Sequence, residues 1–446
     1  MATSAAPLVL GGGMAGIAAA VSLAEQGLRP ILVESRPYLG GRTRSFIHEG
    51  TGDEIDNGQH LMMGCYRATF RLLTMLGTRD LVKLQPALRV EFRDTDGSFD
   101  LLAAPSTPPA PLNVLLGMIG LRRLSRRERF ALLRLGISIA IAPPSPSETV
   151  HDYLERLGQS RRLQERLWHP IVIATLNTPP ESASALLFGT VMRKAFLGRG
   201  NDSQLAFPLG GLSRLIAPAR GHIEGRGGKV MVGEPIVAIE REGKVYRVHL
   251  KDGSTLASER VISSLPPRAL KPLLRDPALL EALLPERIDI SYSPIVSLYL
   301  WFDRPLDELP EFSALIGTSV QWMFNKRKLG SPSNSRFPGL LSCTISAAFE
   351  ESAADSAQVI ARAERELRDA FPELRGATLL DALVVKEKHA TFAATPAVAA
   401  QRPGPRTSMP GFQLAGDWTA TGLPATIEGA VVSGLAAAVQ CVKLKV

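Results

Sequence analysis

The segment Gly11-Gly12-Gly13-Met14-Ala15-Gly16 constrains the fold more than any other part of this chain. It follows an apolar, strand-like Leu8-Val9-Leu10 and opens an Ala-rich run, Met14–Gln26, that Gly27 stops before a second strand at Ile31–Glu34. This is a βαβ opening with G-x-G-x-x-G at the strand-to-helix turn. Gly11 permits the tight turn, Gly13 lets backbone N–H groups approach a pyrophosphate, and Gly16 allows close packing of helix on strand. Met14 and Ala15 begin the helix, whose N-terminus offers unpaired donors and positive partial charge to phosphates. Glu34 ends the next strand about 20 residues on, where an acid accepts from ribose hydroxyls. Strand, helix and acid coincide, and together they predict a dinucleotide site in an α/β fold.

A chain of 446 residues exceeds one such unit and has room for about three ordinary domains, or two with long excursions. Its three cysteines, Cys65, Cys343 and Cys441, lie far apart with no C-x-x-C pair, which argues against a zinc site or a disulfide framework and favours a reducing compartment. No metal site is expected. The opening Met1–Pro7 has no basic region before a long apolar core, so no leader is expected, and no run reaches the ~18 apolar residues of a spanning helix. The formal net charge of +8 draws the chain to anionic surfaces. Arg122, Arg123, Arg126, Arg127 and Arg129 sit between the apolar stretches 111–121 and 130–142 with only Phe130 as a nearby aromatic, a pattern that suits a bilayer surface better than nucleic acid. An ordinary amphipathic helix pair with a solvated basic face is the alternative.

Further along, the patterns predict helices over 151–157, 161–173, 210–228, 354–374 and 426–442. They also predict strands on either side of Glu242-Gly243-Lys244, at 256–263, 295–302 and 412–415, and a Pro-rich loop over 395–410. The class is α/β with an additional mixed part. A Rossmann-like, dinucleotide-binding part is expected to be discontinuous (1–105, 205–275 and 405–446). A substrate part with a mixed sheet and helices fills 106–204 and 276–404.

After Glu34 the chain reads Ser35-Arg36-Pro37-Tyr38-Leu39-Gly40-Gly41-Arg42. This second glycine pair would bring more backbone, and a cation, to the same pyrophosphate, which simple nicotinamide Rossmann domains do not need. Here the sequence resembles the flavin-containing amine oxidase and phytoene desaturase superfamily, whose first βαβ unit continues into a G-G-R loop. The likeness extends to Gly210-Gly211-Leu212, Pro235-Ile236-Val237, Val261–Pro267, Leu414-Ala415-Gly416-Asp417-Trp418-Thr419 and Pro424–Ala430. It implies FAD, held by the first glycine loop, Glu34, Ser35, Arg36, Gly41, Arg42, Gln59, His60, Val237 near the adenine, Gly416, Asp417 and the Thr426-Ile427 backbone. A helix N-terminus at Thr426 would stabilise negative charge on the pyrimidine end of a reduced flavin.

Asp56-Asn57-Gly58-Gln59-His60-Leu61, with Lys388–Phe392 and Gly416–Thr426, resembles one branch in particular, the hydroxysqualene dehydroxylases. That resemblance implies reductive removal of an allylic hydroxyl from a long-chain isoprenoid, hydroxysqualene to squalene. It also implies a peripheral site on the inner face of the cytoplasmic membrane and an unidentified electron donor, since no second nicotinamide fingerprint is visible. A carotenoid or phytoene-type desaturase, a flavin amine oxidase and a non-catalytic lipid carrier are the alternatives. For the chemistry, His60 is the candidate acid, with Asp56 expected to orient it and raise its pKa; its alternative is a histidine that only contacts the flavin. His169 and His389 are weaker candidates. Tyr66, Trp168, Tyr292, Trp322 and Trp418 are candidate substrate residues, each with a plain packing alternative. An apolar tunnel is expected from Trp168, Pro170, Ile171, Ile173, Leu176, Leu298, Tyr299, Trp301, Trp322 and Phe324.

Overall fold

The computed structural model describes residues 6–443 except 106, 199, 287 and 333. Residues 1–5, part of the segment in which no leader is expected, lie outside that range. Leu8–Leu10 pairs in parallel with Ile31–Glu34 on one side and Val261–Ser263 on the other; Lys229–Val232 and Phe412–Leu414 complete a five-stranded parallel sheet. Its central strand is buried at every position, as a strand covered on both faces must be. Helix Met14–Glu25 lies on this sheet and packs against the C-terminal helix Ile427–Lys443. They approach closely enough that a Cβ on Gly434 would stand 2.1 Å from the Ala15 carbonyl oxygen. Strands of one compact sheet thus come from three distant parts of the chain.

A second, seven-stranded sheet is mixed. Its order is Leu379–Phe392, Tyr292–Phe302, Gly339–Ser346, Trp322–Asn325, Phe312–Ile316, Arg89–Asp94 and Phe99–Ala103. Successive side chains alternate between its faces. Val296, Leu298, Leu300, Cys343 and Ile345 pack with Val359, Ala363 and Leu367 of helix Ser356–Ala370. The other face carries Ser297, Tyr299, Trp301, Thr344, Trp322 and Phe324. Leu298 therefore belongs to the helix-covered core and does not line a tunnel on that face.

Several sequence expectations shift by local chemistry. The helix expected over 210–228 is two short ones, Ser213–Ile216 and Ala219–Glu224, separated at Pro218. The one expected over 354–374 begins at Ser356, capped by the Asp355 side chain, and ends before Pro372. The Pro-rich 395–410 loop contains a helical turn, Pro396–Gln401, with Thr395 as its cap. The strand Leu379–Phe392, the longest among the described residues, has no counterpart in the sequence expectations. The apolar stretches flanking the arginines form helices Leu112–Ile119 and Arg126–Ile141, the latter opened by a Ser125–Glu128 capping box.

Candidate active site

The first glycine loop is shaped by steric necessity. Gly11 has φ +98°, and a Cβ on Gly16 would lie 1.9 Å from the Gly11 carbonyl oxygen. Around Gly13, by contrast, nothing lies within 4 Å of where a Cβ would stand, so this turn is open on the side where the helix presents its first N–H groups, and no side chain caps them. The second glycine loop is bonded to the first: Gly40 N donates to Gly12 O at 2.8 Å, and Gly13 and Gly40 form a parallel bridge. A Cβ on Gly41 would come 3.2 Å from Gly13 Cα. Glu34 sits at the strand end with its carboxylate accepting from Gly12 N at 2.6 Å, Arg36 N at 2.8 Å and Ser35 Oγ at 3.1 Å.

From the far end of the chain, Asp417 reaches Arg42, whose Nη2 donates to Oδ1 at 2.7 Å. The Asp417 carboxylate holds the Arg42 guanidinium above its usual pKa. Gly416, at φ +126°, donates to Ser433 Oγ at 2.8 Å, and a Cβ there would lie 2.6 Å from the Trp418 indole. Thr426 caps the C-terminal helix by accepting from Gly429 N at 3.0 Å. Glu428, in the first turn, accepts from Ala68 N, Thr69 N and Thr69 Oγ1. It thereby caps helix Arg67–Leu76 from another part of the chain. Tyr66 bonds Thr426, and burial raises its phenol pKa. Val237 stands 40% exposed at a β-bulge between Ile236 and Ala238, the bulge turning it out of the ladder.

The cradle fits a flavin dinucleotide on two observations besides the glycines. Trp418 Nε1 and Tyr292 OH are buried polar atoms without a hydrogen-bond partner among the described residues. Tyr292 lies close enough to Asp417 and Arg42 for both charges to act on its phenol. Its ring meets His389 edge-on at 5.2 Å.

The Asn57–Leu61 segment lies against the mixed sheet. Asp56 is buried, but it does not orient His60. Its Oδ1 accepts from Leu212 N at 2.9 Å and Ser45 Oγ at 2.8 Å, and its Oδ2 lies 3.5 Å from Lys326 Nζ. Tyr299 OH donates to the Asp56 carbonyl at 2.9 Å. Asp56 does raise the imidazole pKa through its charge, as expected, but burial of His60 outweighs it, and with the Arg42 and Lys326 charges acting the same way as burial the net shift is downward. At neutral pH His60 is a neutral imidazole, a hydrogen-bond donor rather than a strong acid. Lys326, which sequence reasoning missed, is the ammonium in this cluster; it is 4% exposed and donates to Gln59 Oε1 at 3.1 Å. A single lysine in a turn carries no sequence signal of this role.

The remaining aromatics separate. Trp301 stacks on His48 at 4.6 Å and donates to Asp53 Oδ2 at 2.7 Å, a structural assignment that removes it from a tunnel wall. Trp168 donates to Gln159 Oε1 at 2.9 Å, and its ring borders an apolar crevice under the two arginine-flanking helices, lined also by Val114, Met118, Leu132, Leu135 and Met192. Trp322 stacks on Phe312. His169, its pKa lowered by burial, has an unpartnered Nε2 and no acidic group bonded to it among the described residues. Arg402, also unforeseen, is buried and fans its guanidinium over the 417–423 loop.

A parallel sheet with an open glycine cradle, a second glycine loop bonded to it and an acid at the next strand end define a dinucleotide-binding protein. The chain belongs to the flavin containing amine oxidoreductase family, which matches residues 14–442, and membership implies a flavin cofactor. It is 32% identical over 440 residues to the hydroxysqualene dehydroxylase of Rhodopseudomonas palustris, covering 96% of each chain. It is 26% identical to the 15-cis-phytoene desaturase of Arabidopsis thaliana, covering 96% of this chain and 78% of that one. Among solved structures, an oxidoreductase from Methanosarcina mazei shares the fold, with a TM-score of 0.75 at 17% identity, covering 96% of this chain and 98% of that one. The protein is a flavin-dependent oxidoreductase.

Proposed function

We propose that this protein removes the hydroxyl of hydroxysqualene, giving squalene and water, with FAD as its cofactor. The observation that carries the reading is the end-to-end likeness to the Rhodopseudomonas enzyme, 32% over 440 residues. In this reading Gly11, Gly13–Gly16, Gly41 and Arg42 hold the pyrophosphate, Glu34 with Ser35 and Arg36 the ribose side, and Val237 the adenine. Gly416-Asp417 and Thr426-Ile427 take the ribityl chain and pyrimidine end. The parts 1–105, 205–275 and 405–446 form the cofactor unit and the remainder the substrate unit, except that strands Arg89–Asp94 and Phe99–Ala103 join the mixed sheet and so belong with the substrate unit. Bound reduced FAD supplies an electron pair as hydride, so that with one proton the C–O bond is exchanged for C–H and the oxygen leaves as water.

The chain's own residues must deliver that proton and keep bulk water away. Lys326, whose ammonium is buried between Asp56 and Gln59, and His60, a donor in its neutral form, are the groups beside the Asn57–Leu61 segment that carry protons. Asp56 serves by fixing the Gly211-Leu212 turn and Lys326. Tyr66, Tyr292 and Trp418 border the cofactor, and Trp322 and Trp168 the hydrocarbon. The flavin is reduced by a separate donor.

An insoluble triterpene calls for access from a bilayer. Leu112, Leu116, Phe130, Ile137 and Ile141 are large apolar side chains exposed on the two arginine-flanking helices, with Arg122, Arg126 and Arg127 exposed beside them. No helix among the described residues is long and apolar enough to cross a membrane. We place this surface on the inner face of the cytoplasmic membrane, attached peripherally. Arg123 is excluded from lipid contact as a free cation, because its guanidinium is bonded to Asp94.

The test is an anaerobic single turnover: photoreduced holoenzyme mixed with hydroxysqualene in detergent, with flavin absorbance and extracted lipid followed together. Flavin reoxidation with stoichiometric squalene is expected. A phytoene-type desaturase, to which the Arabidopsis likeness points, would leave reduced flavin unchanged, and a polyene substrate would bleach the oxidised form instead.

A further inference from the structure

On the sheet face turned away from helix Ser356–Ala370, Trp322, Thr344 and Ser297 are register partners on three adjacent strands: Trp322 opposes Thr344, and Thr344 opposes Ser297. Their side chains stand side by side in one row. At one end the row meets the segment that carries Gln59 and His60, because a Cβ on Gly58 would lie 3.3 Å from Ser297 Oγ. At the other end Trp322 stacks on Phe312 at 6.4 Å within the large apolar cluster that also holds Phe324 and Trp168. The row thus leads from the polar Asp56–Gln59–Lys326 group into hydrocarbon.

Trp322 and Thr344 are 8% and 9% exposed, yet neither Trp322 Nε1 nor Thr344 Oγ1 has a hydrogen-bond partner among the described residues. Buried polar groups are nearly always paired, and an unpaired one calls for an explanation. A wall meant only for hydrocarbon would be more stable with phenylalanine and valine at these positions. Two unpaired polar groups on neighbouring strands, between the Asp56–Gln59–Lys326 group and the apolar cluster, are free to bond one polar atom on an otherwise apolar molecule.

We propose that Trp322 and Thr344 form an oxygen-recognition point for the substrate: the indole N–H donates to a single hydroxyl oxygen of an otherwise apolar isoprenoid, and the threonine hydroxyl gives or takes the second hydrogen bond. The proposal rests on the reading of the substrate as an oxygenated isoprenoid. Its use is selectivity. Substrate and product of a reductive dehydroxylation differ by that oxygen, and a purely apolar wall holds both alike. A site that hydrogen-bonds a hydroxyl rejects the analogue lacking it, because its own groups are then left unpaired. Product release follows from the same loss.

The test uses flavin-loaded Trp322→Phe, Thr344→Val and the double variant, with binding of hydroxysqualene and of squalene measured separately through the perturbation of flavin absorbance. Wild type is expected to prefer the alcohol by at least about tenfold. Each single variant should lose several-fold of that preference and the double variant all of it, through a fall in hydroxysqualene affinity larger than any change in squalene affinity, with the flavin spectrum of the unliganded protein unchanged. A double variant that keeps the preference, or one in which both affinities fall together as for a packing defect, overturns the proposal. Should the wild type not turn over hydroxysqualene, the reading of the reaction fails. The preference for farnesol over its deoxygenated alkene, in wild type and double variant, then decides the recognition point by the same criteria.

Discussion

Replacing Arg402 with leucine should release the flavin without unfolding the protein. Arg402 is 6% exposed. Its guanidinium donates to the carbonyls of Leu423 at 2.7 Å, Asp417 at 3.0 Å and Trp418 at 3.3 Å, also to that of Thr419, and to Thr421 Oγ1 at 3.3 Å. It lies 4.4 Å over the Phe392 ring. Burial pulls its pKa down to about 10, against the opposing pull of Asp417, and it remains charged at neutral pH. Leucine would leave the converging carbonyls unmet, at about 1–3 kcal/mol for each that water cannot reach. Relief from desolvating the guanidinium offsets part of this, and a net loss of about 3–5 kcal/mol is typical when one side of a buried charged contact is removed. The loss is local, because every polar partner lies in 417–423, the segment that carries Asp417 and Trp418 toward the cofactor. At 1.4 kcal/mol per decade, FAD affinity should fall by about 10² to 4 × 10³. Arg402→Lys keeps the charge but not the planar fork, and should fall between. The assay is titration of deflavinated protein by quenching of flavin fluorescence, with far-UV circular dichroism as the control. A folded leucine variant that binds FAD within threefold of wild type would falsify the reasoning and show that the Ser433 and Thr419 bonds hold the loop alone.

Three further outcomes are expected. Gly434→Ala should force the Met14–Glu25 and Ile427–Lys443 helices apart, since its Cβ would stand 2.1 Å from a backbone oxygen; a loss of about 3 kcal/mol or more should appear as a lowered melting temperature, and an unchanged melt contradicts the contact. The His60 pKa is lowered by burial, so the unfolded chain takes up this proton near pH 6.5 before the folded one does; its stabilising contribution is complete above pH 6.5 and is lost as pH falls below it. His60→Gln should flatten that part of the stability profile, and a parallel profile argues against a buried neutral ring. Phe130→Glu with Ile137→Glu should abolish co-sedimentation with anionic liposomes, and Arg122→Glu with Arg126→Glu and Arg127→Glu should make any residual binding insensitive to salt; undiminished binding by both removes these helices from the membrane surface.

What the sequence made legible was whatever is fixed within one turn of chain. Gly11, Gly13 and Gly16 carry their steric reasons in their spacing, and Glu34 stands at the end of a strand that the apolar run of Ile31–Val33 announces. The break at Pro218 and the helical turn Pro396–Gln401 are equally local: Pro218 interrupts the apolar helical pattern of 210–228, and Thr395 caps a turn inside the Pro-rich stretch. Long-range chemistry was not readable at all. Asp56 looked like a partner for His60 because the two are neighbours in sequence; its carboxylate is instead claimed by Leu212 and Ser45 and approached by Lys326, residues that only the assembled sheets bring to it. The same holds for Leu298 and Trp301, both apolar and both in a strand read correctly as buried. Alternation sends Leu298 to the helix-covered face, while Trp301, on the face of Tyr299, is taken by His48 and Asp53. Knowing that a strand is buried on both faces does not say which face meets the substrate. That depends on what covers each side, here a helix of residues 356–370 and a loop of residues 57–61, and so on contacts that no window of sequence contains.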